Sequence, residues 1–385
     1  MTDKISNFLG NGVSQKTINA DVDYLKIIKI FSDKMDVLNE VYNKKDQFET
    51  KVFEGLKNSE IIFPINKHIE IYILKYILDI KKIFKYLVFR YKFFICGQEK
   101  LNLGYPPYLL IEPVSACNLR CPFCFQIDKS FTRKPFMGII DFEFYKKLID
   151  EANEIGVGAI TLASRGEPTM HKKFGEMLNY VNEKENIFEI KVNTNGTFLT
   201  DEICHAIFKN NVTQMVISSD HYIKEDYERL RVGSNFEKVV SNVDNLFYIR
   251  KKFYPDSITE IRISGVDNEK NLDREKFYNF WIQRSDHVSA SFPLERWDTY
   301  NNPVHPDIND PCNLIWDRMY VWWDGKVNPC DADYKSYLSY GNAKDSSIKD
   351  LWNNKKNTEL RKKHLDGDRK KINPCNKCGE TFCHK

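Results

Sequence analysis

Apolar residues recur at Ile73, Ile77, Ile80, Phe84, Leu87, Tyr91 and Phe94, in alternating steps of four and three that lay one stripe along a helix. The opposite face carries Lys75, Lys81, Lys82, Lys85, Arg90 and Lys92. A basic amphipathic helix over 70–95 suits a membrane surface or an acidic partner; we read it as a docked helix with a solvated basic face. Residues 1–100 as a whole read as a helical extension without hairpin signals. From Tyr108 the texture changes to alternation. Strand patterns at 108–114, 159–163, 189–193, 214–218, 260–264 and 287–292 are separated by helical patterns near 141–155, 171–185, 201–210, 236–252 and 273–284. Strand–helix alternation predicts an α/β fold with a parallel sheet and right-handed crossovers. Beyond it, Asp324-Gly325 between two apolar runs predicts a β-hairpin, and 348–363 reads as a helix. The expected domains are therefore 1–100, 101–300 and 301–385.

Composition narrows the class. The chain has 385 residues with 42% hydrophobic and 14% aromatic content, which is globular and too long for one small core. Its 57 basic and 54 acidic residues leave a net charge of +3, which gives no support for nucleic-acid binding. The start lacks an apolar signal region, and no run reaches about 18 uncharged apolar residues, so no transmembrane helix is expected. Ten cysteines grouped at short spacings argue for metal ligation over disulfides. The expectation is a cytoplasmic enzyme that works under reducing conditions.

Three of those cysteines read Cys117-Asn-Leu-Arg-Cys121-Pro-Phe-Cys124. Three thiolates at this spacing can hold three of the four irons of a cubane and leave the fourth open, whereas clusters that only store electrons usually have four protein ligands. Zinc is the alternative, but the loop is asymmetric and carries no histidine. The segment resembles the CxxxCxxC loop of the radical SAM superfamily, with Phe123 at the aromatic position before the third cysteine. The resemblance implies that the open iron chelates the amino and carboxylate groups of S-adenosylmethionine. It also implies a (β/α)6 partial TIM barrel, with function at the C-terminal ends of the strands.

Motifs at those ends extend the resemblance. Ser164-Arg-Gly-Glu-Pro168 is similar to the family's GGEP turn, with Arg165 in place of the first glycine. By that likeness Glu167 receives the ammonium of S-adenosylmethionine, Gly166 permits close approach, and Pro168 stiffens the turn. Asn193-Thr-Asn-Gly196 resembles the TNG turn, with Asn195 as the candidate contact. Ser218 falls at the family's ribose-contacting serine. Arg231 lies in a stretch similar to R-x-G-x-x-F and would pair with the S-adenosylmethionine carboxylate. Val266 ends the fifth strand, where its backbone would face adenine.

Cys312, Cys330, Cys375, Cys378 and Cys383 close the chain. The first four, as C-x17-C and C-x2-C, resemble the SPASM and shorter twitch extensions of the same superfamily and imply a second, fully ligated [4Fe-4S] cluster. Zinc is again the alternative. The single remaining Cys383 favours the twitch form, with one auxiliary cluster. Cys96 and Cys204 lie outside every motif, and Cys204 reads as core packing.

The resemblance implies reductive cleavage of S-adenosylmethionine to methionine and a 5′-deoxyadenosyl radical that takes a substrate hydrogen. It also implies an electron donor such as flavodoxin or ferredoxin. The leading expectation is oxidation or epimerisation of a secondary alcohol on a carbohydrate or cyclitol. Arg165, Glu295 and His305 are candidates for the base that oxidation requires, and Cys383 or Cys204 for the hydrogen donor that epimerisation requires. Peptide or protein modification is the second reading, and a non-catalytic iron–sulfur scaffold the third.

Overall fold

The computed structural model describes residues 22–267, 269–291 and 298–379. They fall into two compact units, one ending at Leu103 and one beginning at Gly104.

The first unit is all helix: Tyr24–Ser32, Met35–Val41, Gln47–Lys57, Lys67–Lys75 and Ile80–Glu99. Short polar side chains start four of them, because Asp23, Asp46, Asn66 and Asp79 each accept from a backbone N–H of the first turn. This corrects the single helix expected from the stripe at 73–94. Asp79 accepts from Lys82 N and starts a new helix, so the pattern is cut in two after Lys75. The stripe still points inward: Ile73, Ile80, Phe84, Leu87 and Tyr91 are all buried. The basic face is mixed, since Lys81 and Lys85 are exposed while Lys92 reaches Asp46 at 3.4 Å. Among the described residues no helix is long and apolar enough to cross a membrane.

The second unit holds six parallel strands, β1 (Tyr108–Ile111), β2 (Ala159–Leu162), β3 (Glu189–Thr194), β4 (Gln214–Ser218), β5 (Glu260–Val266) and β6 (His287–Ser291), each joined to the next through helix. This is the expected partial barrel. The hairpin also forms, as β7 (Met319–Val321) and β8 (Lys326–Asn328), with Gly325 at φ +88° in the turn. Its place was not expected. β7 pairs in parallel with β1, so the strand order is β6-β5-β4-β3-β2-β1-β7-β8-β9, with β9 at Gly341–Asn342. The helix expected over 348–363 is two, Ile348–Asn353 and Lys355–Leu365, because Asn354 is extended and caps the second. β1 ends at Ile111 rather than running on to 114. Pro113 has no N–H for a ladder, and the Glu112 carboxylate turns to Arg165.

Strand alternation sorts the barrel into two faces. Ile190, Val192, Ile261 and Ile263 join the hydrophobic core shared with the outer helices. The residues between them, Lys191, Asn193, Arg262 and Ser264, are half-buried and face the lumen. The lumen is therefore polar while the outer face is almost wholly aliphatic.

Candidate active site

The cysteine loop leaves β1 and is held from three sides. Leu119 N donates to Cys117 Sγ (3.4 Å), Asn195 Nδ2 donates to the same sulfur (3.6 Å), and Arg120 N donates to Val232 O (2.9 Å). Gln126 Nε2 donates to Ser115 O (2.7 Å) and to Arg165 O, which stitches the loop's exit to its entry and to the next strand's turn. Burial pushes the Cys117 thiol up to about 11 and Cys124 up to about 12, and raises Cys121 despite the nearby Arg231. Cys121 also disfavours charge on Cys117, and both disfavour it on Cys124. Thiols in such a place ionise only against a compensating positive group, which iron supplies. Among the described residues no three His, Cys, Asp or Glu side chains converge as single-ion ligands. Three thiols at asymmetric spacing with no histidine in the loop suit a cluster.

The turn after β2 is the hub. Ser164 has φ +120°, a strained value for a residue with a Cβ, and its Oγ is buried with no hydrogen-bond partner among the described residues. Gly166 has a packing reason: a Cβ there would stand 2.2 Å from Val114 O and 2.4 Å from Ala116 O, both backbone. The close approach is thus to the chain that leads into the cysteine loop, and Glu167 N donates to Ala116 O at 2.9 Å. The buried Glu167 carboxylate accepts from Thr169 N (3.2 Å), Thr169 Oγ1 (2.5 Å), Thr194 Oγ1 (2.6 Å) and Asn195 N (2.7 Å). Burial raises its pKa against the lowering effect of these donors. Pro168 opens the short 3-10 turn Pro168–Met170. Asn195 completes the junction, with Nδ2 on Asn118 Oδ1 at 2.9 Å and Oδ1 accepting from Thr197.

Across the barrel mouth the connector is Asp220. Its Oδ2 accepts from Arg231 Nε (2.6 Å) and its Oδ1 from Val266 N (2.9 Å). Val266 therefore presents an N–H already committed to Asp220. The Arg231 guanidinium lies 5.6 Å from the Phe123 ring centroid. Ser218 is half-buried at the end of β4, in register with Ser264. Asp220, Asn118, Thr194 and Gln126 are hub residues that the motifs alone did not single out; the usable signal was their place within two residues of a motif position.

Two candidate bases move away from the lumen, and Cys204 takes the core place read from the sequence rather than that of a hydrogen donor. Arg165 does not reach toward substrate: it is 3% exposed, donates through Nε (2.7 Å) and Nη2 (2.5 Å) to the Glu112 carboxylate and through Nη1 to Tyr334 O (2.9 Å), and stacks 4.3 Å over Trp322. It has turned inward because Glu112 would otherwise be a buried unpaired charge. His305 sits at the C-terminal cysteines, with its N–H on Asn376 O at 2.9 Å. Cys204 belongs to the outer hydrophobic core, its Sγ 3.9 Å from Leu199 O, and so faces away from the lumen. Cys96 is buried in the first unit. Glu295 and Cys383 lie outside the described residues.

The other four cysteines meet. Cys312, Cys330, Cys375 and Cys378 line one cavity, with His364, Arg369 and apolar Leu314 and Ile315 among its walls. Burial raises Cys330 and Cys375 well above the usual thiol range. Arg369, 1% exposed, places a cation where thiolates would need one. His364 accepts the Cys312 N–H on Nδ1 (3.3 Å), and burial with Arg369 nearby lowers its pKa to about 3, so it is neutral. Four thiols around one walled space suit a closed cluster.

Residues 111–280 match the radical SAM superfamily and residues 312–379 match SPASM, an iron–sulfur cluster-binding domain. With the barrel and both cysteine sites in place, the chain is a radical SAM enzyme with a C-terminal SPASM domain, a family that works with a [4Fe-4S] cluster and S-adenosylmethionine. It is 24% identical over 303 residues to the tungsten-containing aldehyde ferredoxin oxidoreductase cofactor-modifying protein of Pyrococcus furiosus, spanning 66% of this chain and 83% of that one. It is 23% identical over 277 residues to the S-adenosyl-L-methionine-dependent 2-deoxy-scyllo-inosamine dehydrogenase of Niallia circulans, spanning 70% and 92%. In fold it is similar to Streptococcus suis SuiB bound to precursor peptide SuiA, with a TM-score of 0.51 and 15% identity over 82% of this chain and 79% of that one.

Proposed function

We propose that the protein oxidises a secondary alcohol of a carbohydrate- or cyclitol-like small molecule, with one auxiliary [4Fe-4S] cluster as electron acceptor. The observation that carries this reading is the C-terminal cavity, where Cys312, Cys330, Cys375 and Cys378 offer four ligands to one group. A cluster with no vacant iron has no site for substrate and is left with electron transfer as its role. In this reading Cys117, Cys121 and Cys124 hold the open cluster. Glu167, Ser164, Gly166, Pro168, Asn195, Phe123, Ser218, Arg231 and Val266 surround S-adenosylmethionine. The unpartnered Ser164 Oγ supports a ligand at that turn. Once bound, the open cluster and S-adenosylmethionine would supply hydrogen-atom abstraction and the closed cluster a one-electron sink, which together account for the two electrons an alcohol loses in becoming a ketone; the hydroxyl proton goes to a base, the role for which Glu295 is the remaining candidate.

The chain's own residues supply orientation. Thr161, Asn193, Ser218, Ser264 and Ser289 give the lumen hydrogen-bonding groups suited to hydroxyls rather than to an apolar body. The relative from Niallia circulans, named as a dehydrogenase of a cyclitol amine, is matched over 92% of its length, which supports the same class. The reading also calls for an electron donor such as flavodoxin or ferredoxin.

The test is anaerobic reconstitution followed by incubation with perdeuterated sugars, cyclitols and peptides. Deuterium entering 5′-deoxyadenosine from a cyclitol or sugar, with the matching ketone as product, is the expected result. Deuterium from a peptide would replace this reading with peptide modification, the activity class suggested by the likeness in fold to SuiB bound to its precursor peptide. Iron binding without any 5′-deoxyadenosine would leave only a scaffold.

A further inference from the structure

Two cations face the lumen without an ion-pair partner among the described residues, although Glu260 attracts both from a distance. Lys191 and Arg262 stand on the lumen faces of β3 and β5, on either side of β4, with Lys191 in register with Gln214 and Arg262 with Val216. The Lys191 side chain makes no hydrogen bond or ion pair to any described residue. Burial, with Arg262 and Arg318 nearby, pushes its ammonium down to about 8. Arg262 donates Nη2 to Ser289 Oγ (2.9 Å), while its Nε is buried with no partner among the described residues. One step up β3 on the same face, Asn193 Oδ1 is likewise buried and unpartnered.

The neighbouring charges do not resolve the two cations. Glu260 is held by Gln214 Nε2 (2.6 Å) and by the His287 ring at 3.3 Å. Arg318 is paired with Asp317 at 2.6 Å. Glu189 and Glu260 attract Lys191, but neither comes within ion-pair distance of it. Two like charges enclosed together carry a desolvation cost and repel each other, a cost that a bound anion removes.

We propose that Lys191 and Arg262 form an oxyanion site in the floor of the barrel that seats a carboxylate or phosphate carried by the substrate. The inference rests on the reading of the lumen as the substrate site and narrows it from neutral to anionic alcohols. A lysine supplies a compact point charge and an arginine a planar edge that matches an oxyanion. Arg262 is already oriented by Ser289. Lys191 lies four residues before Asn195, about 13 Å of strand rise. That length accommodates a monosaccharide between the anion and the turn assigned to S-adenosylmethionine.

The experiment is calorimetric titration of the anaerobically reconstituted full chain, with S-adenosylmethionine present, against glucose, glucuronate, glucose 6-phosphate and inorganic phosphate. At least one charged probe is expected to bind about tenfold or more tightly than glucose. Arg262→Gln and Lys191→Met are each expected to remove about tenfold or more of that preference, and Arg262→Lys to restore part of it. Glucuronate against glucose 6-phosphate tells carboxylate from phosphate. Thermal melts of each variant check that it is folded, and the comparison with glucose separates a lost site from a lost fold. Equal affinity for glucose and every charged probe, or unchanged preference in both charge-removing variants, overturns the site. A charged probe that binds through these residues yet gives no ketone supports the site and removes the dehydrogenase reading.

Discussion

Tyr334 lies flat against Phe125, with ring centroids 5.0 Å apart and planes 20° from parallel. Phe125 is the residue after Cys124, and Tyr334 comes four residues after Cys330. The two cysteine sites are thus joined through one aromatic stack, which Phe131 closes edge-on at 5.6 and 5.3 Å. Polar contacts clamp the same seam. Tyr334 OH donates to Asp128 Oδ2 at 3.0 Å, and Lys335 Nζ pairs with that oxygen at 2.7 Å. Burial alone would raise Asp128, but the donors Lys335, Ser130 and Tyr334 win and hold it well below the usual carboxylate range.

The stack can be removed from one side. Phe125→Ala should cost about 3 kcal/mol, the lower range for emptying a buried aromatic site, and Tyr334→Phe about 1 kcal/mol for the lost hydrogen bond. Anaerobic urea unfolding of the reconstituted protein measures both, and equal midpoints for the two variants would show that the stack does not bear on stability.

Arg165→Gly, which gives the turn the glycine of the GGEP motif it resembles, should destabilise rather than improve the protein. It strands the Glu112 carboxylate, which is 0% exposed, and breaking one side of a buried ion pair costs about 3–5 kcal/mol. The double variant Arg165→Met with Glu112→Gln should recover much of the loss. Melting curves of the three proteins decide it, and an unaffected single variant would mean the ion pair is dispensable.

Removing cysteines should separate the two sites. Reconstituted protein should hold about eight irons, and Cys117→Ala or Cys330→Ala should each lower this to about four. Only Cys117→Ala should also abolish 5′-deoxyadenosine release. About four irons in the parent protein would remove the auxiliary-cluster assignment.

Lys191 gives a pH dependence with a definite sign. Its folded pKa of about 8 lies below its ordinary value of 10.5. The folded state therefore binds fewer protons than the unfolded state between those values, and stability rises with pH across that window. The facing groups are Arg262, Arg318, Glu189 and Glu260. Urea midpoints of the parent protein should climb from about pH 8 to about pH 10 relative to Lys191→Met. Affinity for a charged probe should fall over the same range as the ammonium is lost. Parallel profiles for parent and variant would show that Lys191 is not perturbed.

What was legible in the sequence was local. The cysteine loop, the turn at Glu167 and the hairpin at Gly325 each declare themselves within about ten residues, so spacing and strand ends sufficed. What was hidden needed a partner from far away. Arg165 looked like a loop residue because Glu112 is 53 positions earlier and Tyr334 is 169 later. The helix break at Asp79 was hidden because the apolar stripe runs through it, while the cap that starts a new helix is a single side chain. Lys191 and Arg262 sit in strands that were recognised, but their meaning appears only once alternation assigns one face to the core and the other to the lumen.

The parallel pairing of β7 with β1 has a consequence for dissecting the protein. Leu109, Leu110 and Ile111 bond on one side to β2 and on the other to Met319, Tyr320 and Val321, and Glu112 N continues the ladder to Val321 O at 2.9 Å. A barrel cut after residue 300 would end in a bare strand edge one turn from the cysteine loop, open to strand addition from a second molecule. The C-terminal segment thus cannot be treated as a detachable module: because β8 in turn pairs with β9, a workable excision point lies beyond β9, and a shortened chain that keeps β7, β8 and β9 should stay monodisperse where one lacking them self-associates.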